Sequence, residues 1–358
     1  MIELDGSHLE GGGQIVRTAL ALSTLIGKAF EVTNIRKGRS KPGLKAQHLH
    51  CIKALEQLSD AKSGYAELGS ERLRFLPGKV KGRTISIDIG TAGSVTLLLQ
   101  SLLIPAIFSG KKVRLNLTGG TDVSWSPQFD YFNNVILPHL RKYADIKCSL
   151  LKRGYYPKGQ GKIDIQIKSK FHLDNLEEAL KIDSELQHNL IQIKGVSHAS
   201  LELNKANVAE RQAKTATLIL KTFNCPIHIR TEYSPTPSIG SGVTVWAVFS
   251  RQTDEISFNN PIILGADVLG QKGKRSEDIG KEASEKLIHE IESLAPIDLH
   301  LADNLIPFLA LVGGKIKVSK ITDHTLTNIY VCEQFLGKTF NIDKDNNIIE
   351  AEPVVWHD

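Results

Sequence analysis

No apolar run in this chain reaches the roughly 18–20 residues that a membrane-spanning helix needs. Cysteine is scarce: Cys51, Cys148, Cys225 and Cys332 lie far apart and form no CxxC. That spacing argues against a disulfide framework or a zinc site and for reduced thiols in a core. Familiar signatures are missing too. There is no GxxxxGK(S/T), no GxGxxG after a strand, no HExxH and no GxSxG. A P-loop and a dinucleotide fold are therefore not expected, and any nucleotide site must be of another design. Residues 1–5, MIELD, read as a strand with no basic n-region or cleavage site. A cytoplasmic protein, free of membrane, is the expectation.

What is present describes a globular protein, with 41% hydrophobic and 23% charged residues. At 358 residues the chain exceeds what one core usually serves, so two domains are expected. The net charge of +5 is mild, but its distribution is uneven. Between Glu31 and Glu56 there is no acid, while Arg36, Lys37, Arg39, Lys41, Lys45 and Lys53 fall there with His48 and His50 among them. Such a tract suits a polyanion, although most basic runs are only solvated faces.

Residues 10–14 read EGGGQ, between a short strand and an amphipathic helix. Glycines at a helix entry expose backbone N–H groups in front of the helix dipole, as phosphate seats do. Glu10 and Arg17 flank the turn as a candidate metal ligand and a candidate oxyanion partner. The same glycines equally serve a tight turn that packs a helix close to a sheet.

The strand, glycine turn, helix pattern recurs. It returns at 85–93, with Ser94 before a helix over 95–107. It returns again at 113–122, before a helix around 129–143. A fourth helix is expected over 301–311, ahead of Gly313 and Gly314. A repeated α+β unit fits this alternation better than one wound sheet. Residues 190–194, 227–233 and 243–249 read as strands and 208–221 as a helix. Ser276 is a candidate cap for a helix bearing Ile279, Ala283, Leu287, Ile291 and Leu294, which reads as a return to the main body. Residues 183–277 are therefore expected to form a smaller inserted domain, and 1–182 with 278–345 the larger one. Residues 346–358 read as a tail.

Two C-terminal segments hold candidate chemistry. In 300–304, HLADN, Asp303 or Asn304 falls at an expected helix start, where a cap and a nucleotide contact are both open readings. His324 lies in a polar stretch that runs into an expected strand at 329–332. It is a structural histidine or a nucleophile, since neutral imidazole attacks phosphorus and leaves readily once protonated.

Taken in order, these segments resemble one family. Asp5 and Gly6, residues 10–14 with Arg17, Ile35 and Arg36, residues 38–44, and Gln47 with His48 match the N-terminal part of the RNA 3′-terminal phosphate cyclases. So do residues 67–70, Gly93, Ser94 and Gln100, residues 119–122, 153–157, 300–304 and 324–328. The resemblance spans nearly the whole chain and is weakest across 183–277. It implies an α+β fold: a large domain of three repeated units, each two helices on a four-stranded sheet as in enolpyruvyl-transferase enzymes, with a smaller α/β domain inserted.

It also implies a reaction. Histidine takes AMP from ATP and releases pyrophosphate, AMP passes to an RNA 3′-phosphate, and the 2′-hydroxyl closes a 2′,3′-cyclic end and expels AMP. By resemblance His324 is the adenylylated residue. Gln100, His300, Leu301, Ala302, Asp303 and Asn304 meet the nucleotide. Arg17, Arg36, Arg39 and His48 are basic residues around the phosphates, and Glu10 helps to hold Mg2+ or Mn2+. Two departures stand out. Where the family's turn has three glycines this chain has Gly159, Gln160 and Gly161, and position 304 is Asn where Gln is frequent. Two other readings share the fold: non-catalytic ribosome-assembly relatives, which lack the histidine, and enolpyruvyl transferases, which need none.

Overall fold

The computed structural model describes residues 1–9, 12–251 and 257–354. Three times the chain runs strand, helix, strand, helix, strand, strand. The first pass is β1 (Ile2–Asp5), α1 (Gly13–Ile26), β2 (Phe30–Thr33), α2 (Ala46–Ser59), β3 (Lys62–Gly64) and β4 (Leu73–Leu76). The second is β5 (Thr84–Asp88), α3 (Val95–Ile107), β6 (Lys112–Gly119), a helical stretch, β7 (Ala144–Lys152) and β8 (Gly161–Ser169). That stretch is α4 (Phe129–Tyr131), a π-helical turn (Phe132–Ile136) and α5 (Leu137–Leu140).

The third pass is interrupted. After β9 (Ile182–Ser184) come β10 (Asn189–Ser200), α6 (Val208–Leu220), β11 (Ile227–Ser234), β12 (Ser241–Ser250), β13 (Ile262–Leu269) and α7 (Ser276–Glu292). The pass then resumes with α8 (Leu299–Val312), β14 (Gly314–Lys317), α9 (Asp323–Leu336), β15 (Phe340–Asp343) and β16 (Ile348–Ala351).

All three units share one topology. The sheets are ordered β1-β2-β4-β3, β5-β6-β8-β7 and β9-β14-β16-β15. In each, the first two strands are parallel and the other pairings antiparallel. A parallel pair needs a crossover, and α1, α3 and α8 supply it. One apolar core joins the three units. Within it α1 packs against α2, α3 and α9, so the helix behind the glycine turn is central.

The inserted sheet, ordered β11-β10-β12-β13, has its own core with Val243, Val245 and Leu264. The same core contains Ile279, Ala283, Leu287 and Ile291. The helix that reads as a return to the main body thus packs on α6, β12 and β13 instead. Its first residue is Ser276, the cap position is Arg275, and no side chain caps it; Leu294, expected on its apolar face, lies past its end at Glu292 and is exposed.

Residues 346–358, expected to be a tail, contain β16, an inner strand whose Ile349 is fully buried. The expected strand at 329–332 is the middle of α9, which Thr322 starts with a capping box. In the departing turn, Gln160 has φ +58°, a left-handed conformation that glycine adopts without penalty.

A buried ion cluster joins body and insert. Arg153, 1% exposed, binds Asp122 (3.1 Å) and Asp130 (2.5 Å) of the body and Glu232 of β11. His198 of β10 bridges Gln128 and Tyr155 at 2.8 Å each. Asp122, Asp130 and His198 are close enough to share a metal. The guanidinium of Arg153 already supplies the cation there.

Candidate active site

The site forms where α1, α3, α8 and α9 meet. The cap position of α1 is Gly12, which has no side chain to bond the first N–H groups, and no acid lies in the first turn. Those donors keep their positive field for an anion. Gln14, one residue into the helix, donates to the main-chain carbonyl of His324 at 3.2 Å. Residues separated by almost the whole chain are thus held together. His324 is the second residue of α9 and is exposed. Glu10 and Gly11 lie outside the described residues, and so does the metal assignment made to Glu10.

A chain of side-chain bonds crosses the site. Arg17 Nε donates to Gln100 Oε1 (2.9 Å), Gln100 Nε2 to Asn304 Oδ1 (3.0 Å), and Asn304 Nδ2 to the His300 carbonyl (2.7 Å). The shorter amide at 304 is therefore engaged at both ends by the protein. A second set ties α1, α8 and α9. Thr18 donates to Asn328 Oδ1 (2.7 Å), and Asn328 Nδ2 donates to the Asp303 carbonyl (2.6 Å). Thr322 and Thr325 donate to Asp303 Oδ1 at 3.0 and 2.7 Å. Burial, opposed by these bonds, raises the Asp303 carboxyl above its ordinary range.

Asp303 and Asn304 are not at the helix start. Asp298 caps α8, its Oδ1 accepting from the N–H groups of His300 and Leu301. Leu301 and Ala302 are fully buried in the core, so their side chains offer a ligand nothing. His300 is exposed. Gln14, Thr18, Gln100, Asp303, Asn304 and Asn328 surround a cavity of about 30 Å³, lined beneath by Leu103, Phe132 and Pro307. That is room for about one water. These groups make a polar rim around a space too small to enclose a nucleotide.

The cations meet the same rim from α1 and the loop before α2. Arg36 has φ +57°, and its Nε is buried with no hydrogen-bond partner among the described residues. No carboxylate among the described residues pairs with Arg17 or Arg36. Burial and then mutual repulsion lower both: Arg36 acts on Arg17, and Arg39 on Arg36. Crowded guanidinium groups with an orphaned donor are an arrangement that an anion relieves. Arg39 reaches to the same place, its Nη2 3.8 Å from where a Cβ on Gly12 would stand.

His48 differs from the basic group that the sequence suggests. Burial, with Arg17, Arg36 and Lys45 adding repulsion, pushes it down to about 3. It is neutral at pH 7. Its Nδ1 accepts from the Lys45 N–H (3.0 Å), which leaves the proton on Nε2. That nitrogen lies directly over Gly13, 2.1 Å from where a Cβ would be. The glycine makes room for a neutral hydrogen-bond donor at the helix entry.

Sequence reasoning missed the supporting shell of Thr18, Gln14, Thr322, Thr325 and Asn328. Only the S/T-x-x-S/T-like cap at 322–325 left a local trace. The others depend on helices that meet in space.

A threefold βαβαββ body that gathers guanidinium groups, an uncapped helix entry and the exposed His300 and His324 on neighbouring helices is the build of an enzyme that handles phosphate. The family profile described as RNA 3′-terminal phosphate cyclase matches residues 8–342. The RNA 3′-terminal phosphate cyclase of Pyrococcus furiosus is 45% identical over 96% of this chain and 95% of its own length. That of Archaeoglobus fulgidus is 41% identical over 98% and 100%, and that of Methanosarcina acetivorans 40% over 98% and 99%. The chain belongs to the RNA 3′-terminal phosphate cyclase family. No helix among its described residues is long and apolar enough to cross a membrane.

Proposed function

We propose that this protein converts an RNA 3′-terminal phosphate into a 2′,3′-cyclic phosphodiester, using ATP and carrying AMP on His324. The observation that carries this reading is the contact of Gln14 with His324. It ties the main chain of the exposed His324 to α1, the helix whose entry is uncapped and which carries Arg17. In the first step an imidazole nitrogen bonds to the α-phosphorus, the bond to the β-phosphate oxygen breaks, and pyrophosphate leaves. An oxygen of the RNA 3′-phosphate then bonds to that phosphorus, and the N–P bond breaks. Finally the 2′-oxygen bonds to the 3′-phosphorus, its proton passes to water, and AMP leaves.

In this account Arg17, Arg36 and Arg39 neutralise charge on the reacting phosphates, while the neutral His48 donates from Nε2. Gln100, held between Arg17 and Asn304, keeps the arginine aimed. His300, Asp303 and Asn304 border the nucleotide. We assign Glu10 to a divalent metal. Mg2+ on a triphosphate commonly takes one or two protein carboxylates beside the phosphate oxygens, a donor set one acid on this turn suits. When bound, such an ion withdraws charge from the phosphates. We also place the protein in the cytoplasm, which its four free cysteines suit, and treat β10 to α7 as a separate inserted domain.

The test is to incubate a 3′-phosphorylated RNA oligonucleotide with ATP and the protein. The 3′-phosphate is expected to become resistant to phosphatase, and Arg39→Ala is expected to slow the change. An end that stays sensitive overturns the reading.

A further inference from the structure

Behind the rim, between body and insert, runs a groove of about 1040 Å³, larger than the 300–1,000 Å³ typical of small-molecule sites. Its walls are two sheet edges, β7 of the body and β11 of the insert. At Lys152 it adjoins a second depression beside Pro235 and Pro237. Four cations line the groove against two carboxylates, Asp130 and Glu232, and those two are already bound by the buried Arg153. Lys152 and Lys194 have no ion-pair partner among the described residues. The Arg230 side chain, 64% exposed, is only loosely paired, at 3.5 and 3.6 Å. Trp246, 8% exposed, lies at its floor, while the Tyr233 ring turns away to α6, where its hydroxyl donates to Glu210.

A cation-rich groove between two sheet edges suits the phosphate backbone of a single-stranded nucleic acid. Open edges invite a polypeptide strand as well, but lysine and a bulge are the devices that block such pairing. Here Lys147 and Lys152 lie on β7, whose register breaks between Leu150 and Lys152. The groove also lies close to the rim. Phe132 and Ile136 line the small cavity beside Gln100, while Asn133 and Asn134 of the same π-helical turn line the groove. The two are one helix apart, about 10 Å.

We infer that the groove between β7 and β11 holds the body of a single-stranded RNA, the nucleotides preceding the 3′ end, with Lys152 and Lys194 on its phosphates. The inference rests on the reading of the chain as an RNA-end enzyme, and it gives the inserted domain a task.

Fluorescence anisotropy without ATP tests it, using 3′-phosphorylated dodecamer and trimer RNAs. The protein is expected to bind the dodecamer the more tightly. Lys152→Ser with Lys194→Ser is expected to remove most of that advantage. It should also flatten the log–log salt slope by about 1.4, because each phosphate neutralised on a single strand adds about 0.7. Lys281→Ser, on α7 away from the groove, controls for charge alone, and a thermal melt confirms the double variant's fold. A double variant that melts normally and keeps both the dodecamer advantage and the salt slope overturns the inference, which is also the outcome if a polypeptide strand fills the groove. Failure of the cyclase reading shows separately, as no AMP taken from ATP.

Discussion

Gly13→Ala is a substitution that helix propensity alone would favour by up to about 1 kcal/mol. The structure predicts the opposite sign. The new Cβ would stand 2.1 Å from His48 Nε2, 2.9 Å from His48 Cε1 and 3.1 Å from Arg17 Nη1. The imidazole has little room to retreat, being 4% exposed and held at Nδ1 by Lys45. Forcing a buried ring aside costs about 1–3 kcal/mol, and loss of its hydrogen bond about 1 more. The net expectation is a loss of about 2 kcal/mol, read from urea denaturation. Gly12→Ala, where the nearest atom is 3.8 Å away, should change stability by less than about 0.5 kcal/mol. The decisive assay is a double-mutant cycle with His48→Ala. Once the ring is gone, Gly13→Ala should become neutral or mildly stabilising, a coupling of about 2 kcal/mol. Additivity within the usual ~0.3–0.5 kcal/mol would refute the steric argument and the seating of His48 over the glycine turn.

Three further outcomes follow from the same geometry. His48 and His139 are both pushed down to about 3, chiefly by burial. Their unfolded forms bind protons from about pH 6.5 downward, so stability is full above that pH and lost toward pH 3, by up to ~1.4 kcal/mol per pH unit for each group. Urea midpoints from pH 7 to 4 should show the loss, with a shallower slope in His48→Gln; an unchanged slope contradicts the assignment. Asn328→Ala strands the Thr18 hydroxyl and the Asp303 carbonyl in a buried place. It should cost about 1–3 kcal/mol and slow AMP uptake from ATP in a protein that still folds. Arg153→Met leaves Asp122, Asp130 and Glu232 without their shared cation. It should cost about 3–5 kcal/mol, seen as loss of soluble protein or of the insert's protection in hydrogen exchange.

Local punctuation made part of this fold legible. Ser94 and the glycines before it announce α3, and the structure has that helix at the expected residues, with Ser94 accepting from Leu97. α9 was hidden because Ile329, Tyr330 and Val331 are strand-favouring types. Their helix is decided by the Thr322 cap and by packing on α1 and α8. α7 shows a clear apolar face, but periodicity does not say which core that face joins. β16 follows a polar turn at 344–347 and counts as a strand only because β14 and β15 flank it.

The candidate site divides in the same way. Residue types and order marked His324, Arg17, Arg36, Gln100 and Asp303. The bonds among them, and the neutrality of His48, arise from helices distant in sequence and were not legible. Leu301 and Ala302 entered the sequence reading only because they lie between His300 and Asp303, and the helix turns both into the core.

The central claim is that His324 carries AMP. Intact-protein mass spectrometry after incubation with ATP and a divalent metal, followed by peptide mapping, measures it directly. The account predicts one acid-labile AMP per chain, on the peptide containing His324, and none on His324→Ala. No adduct on the folded wild-type protein, or one that persists in His324→Ala, would contradict it.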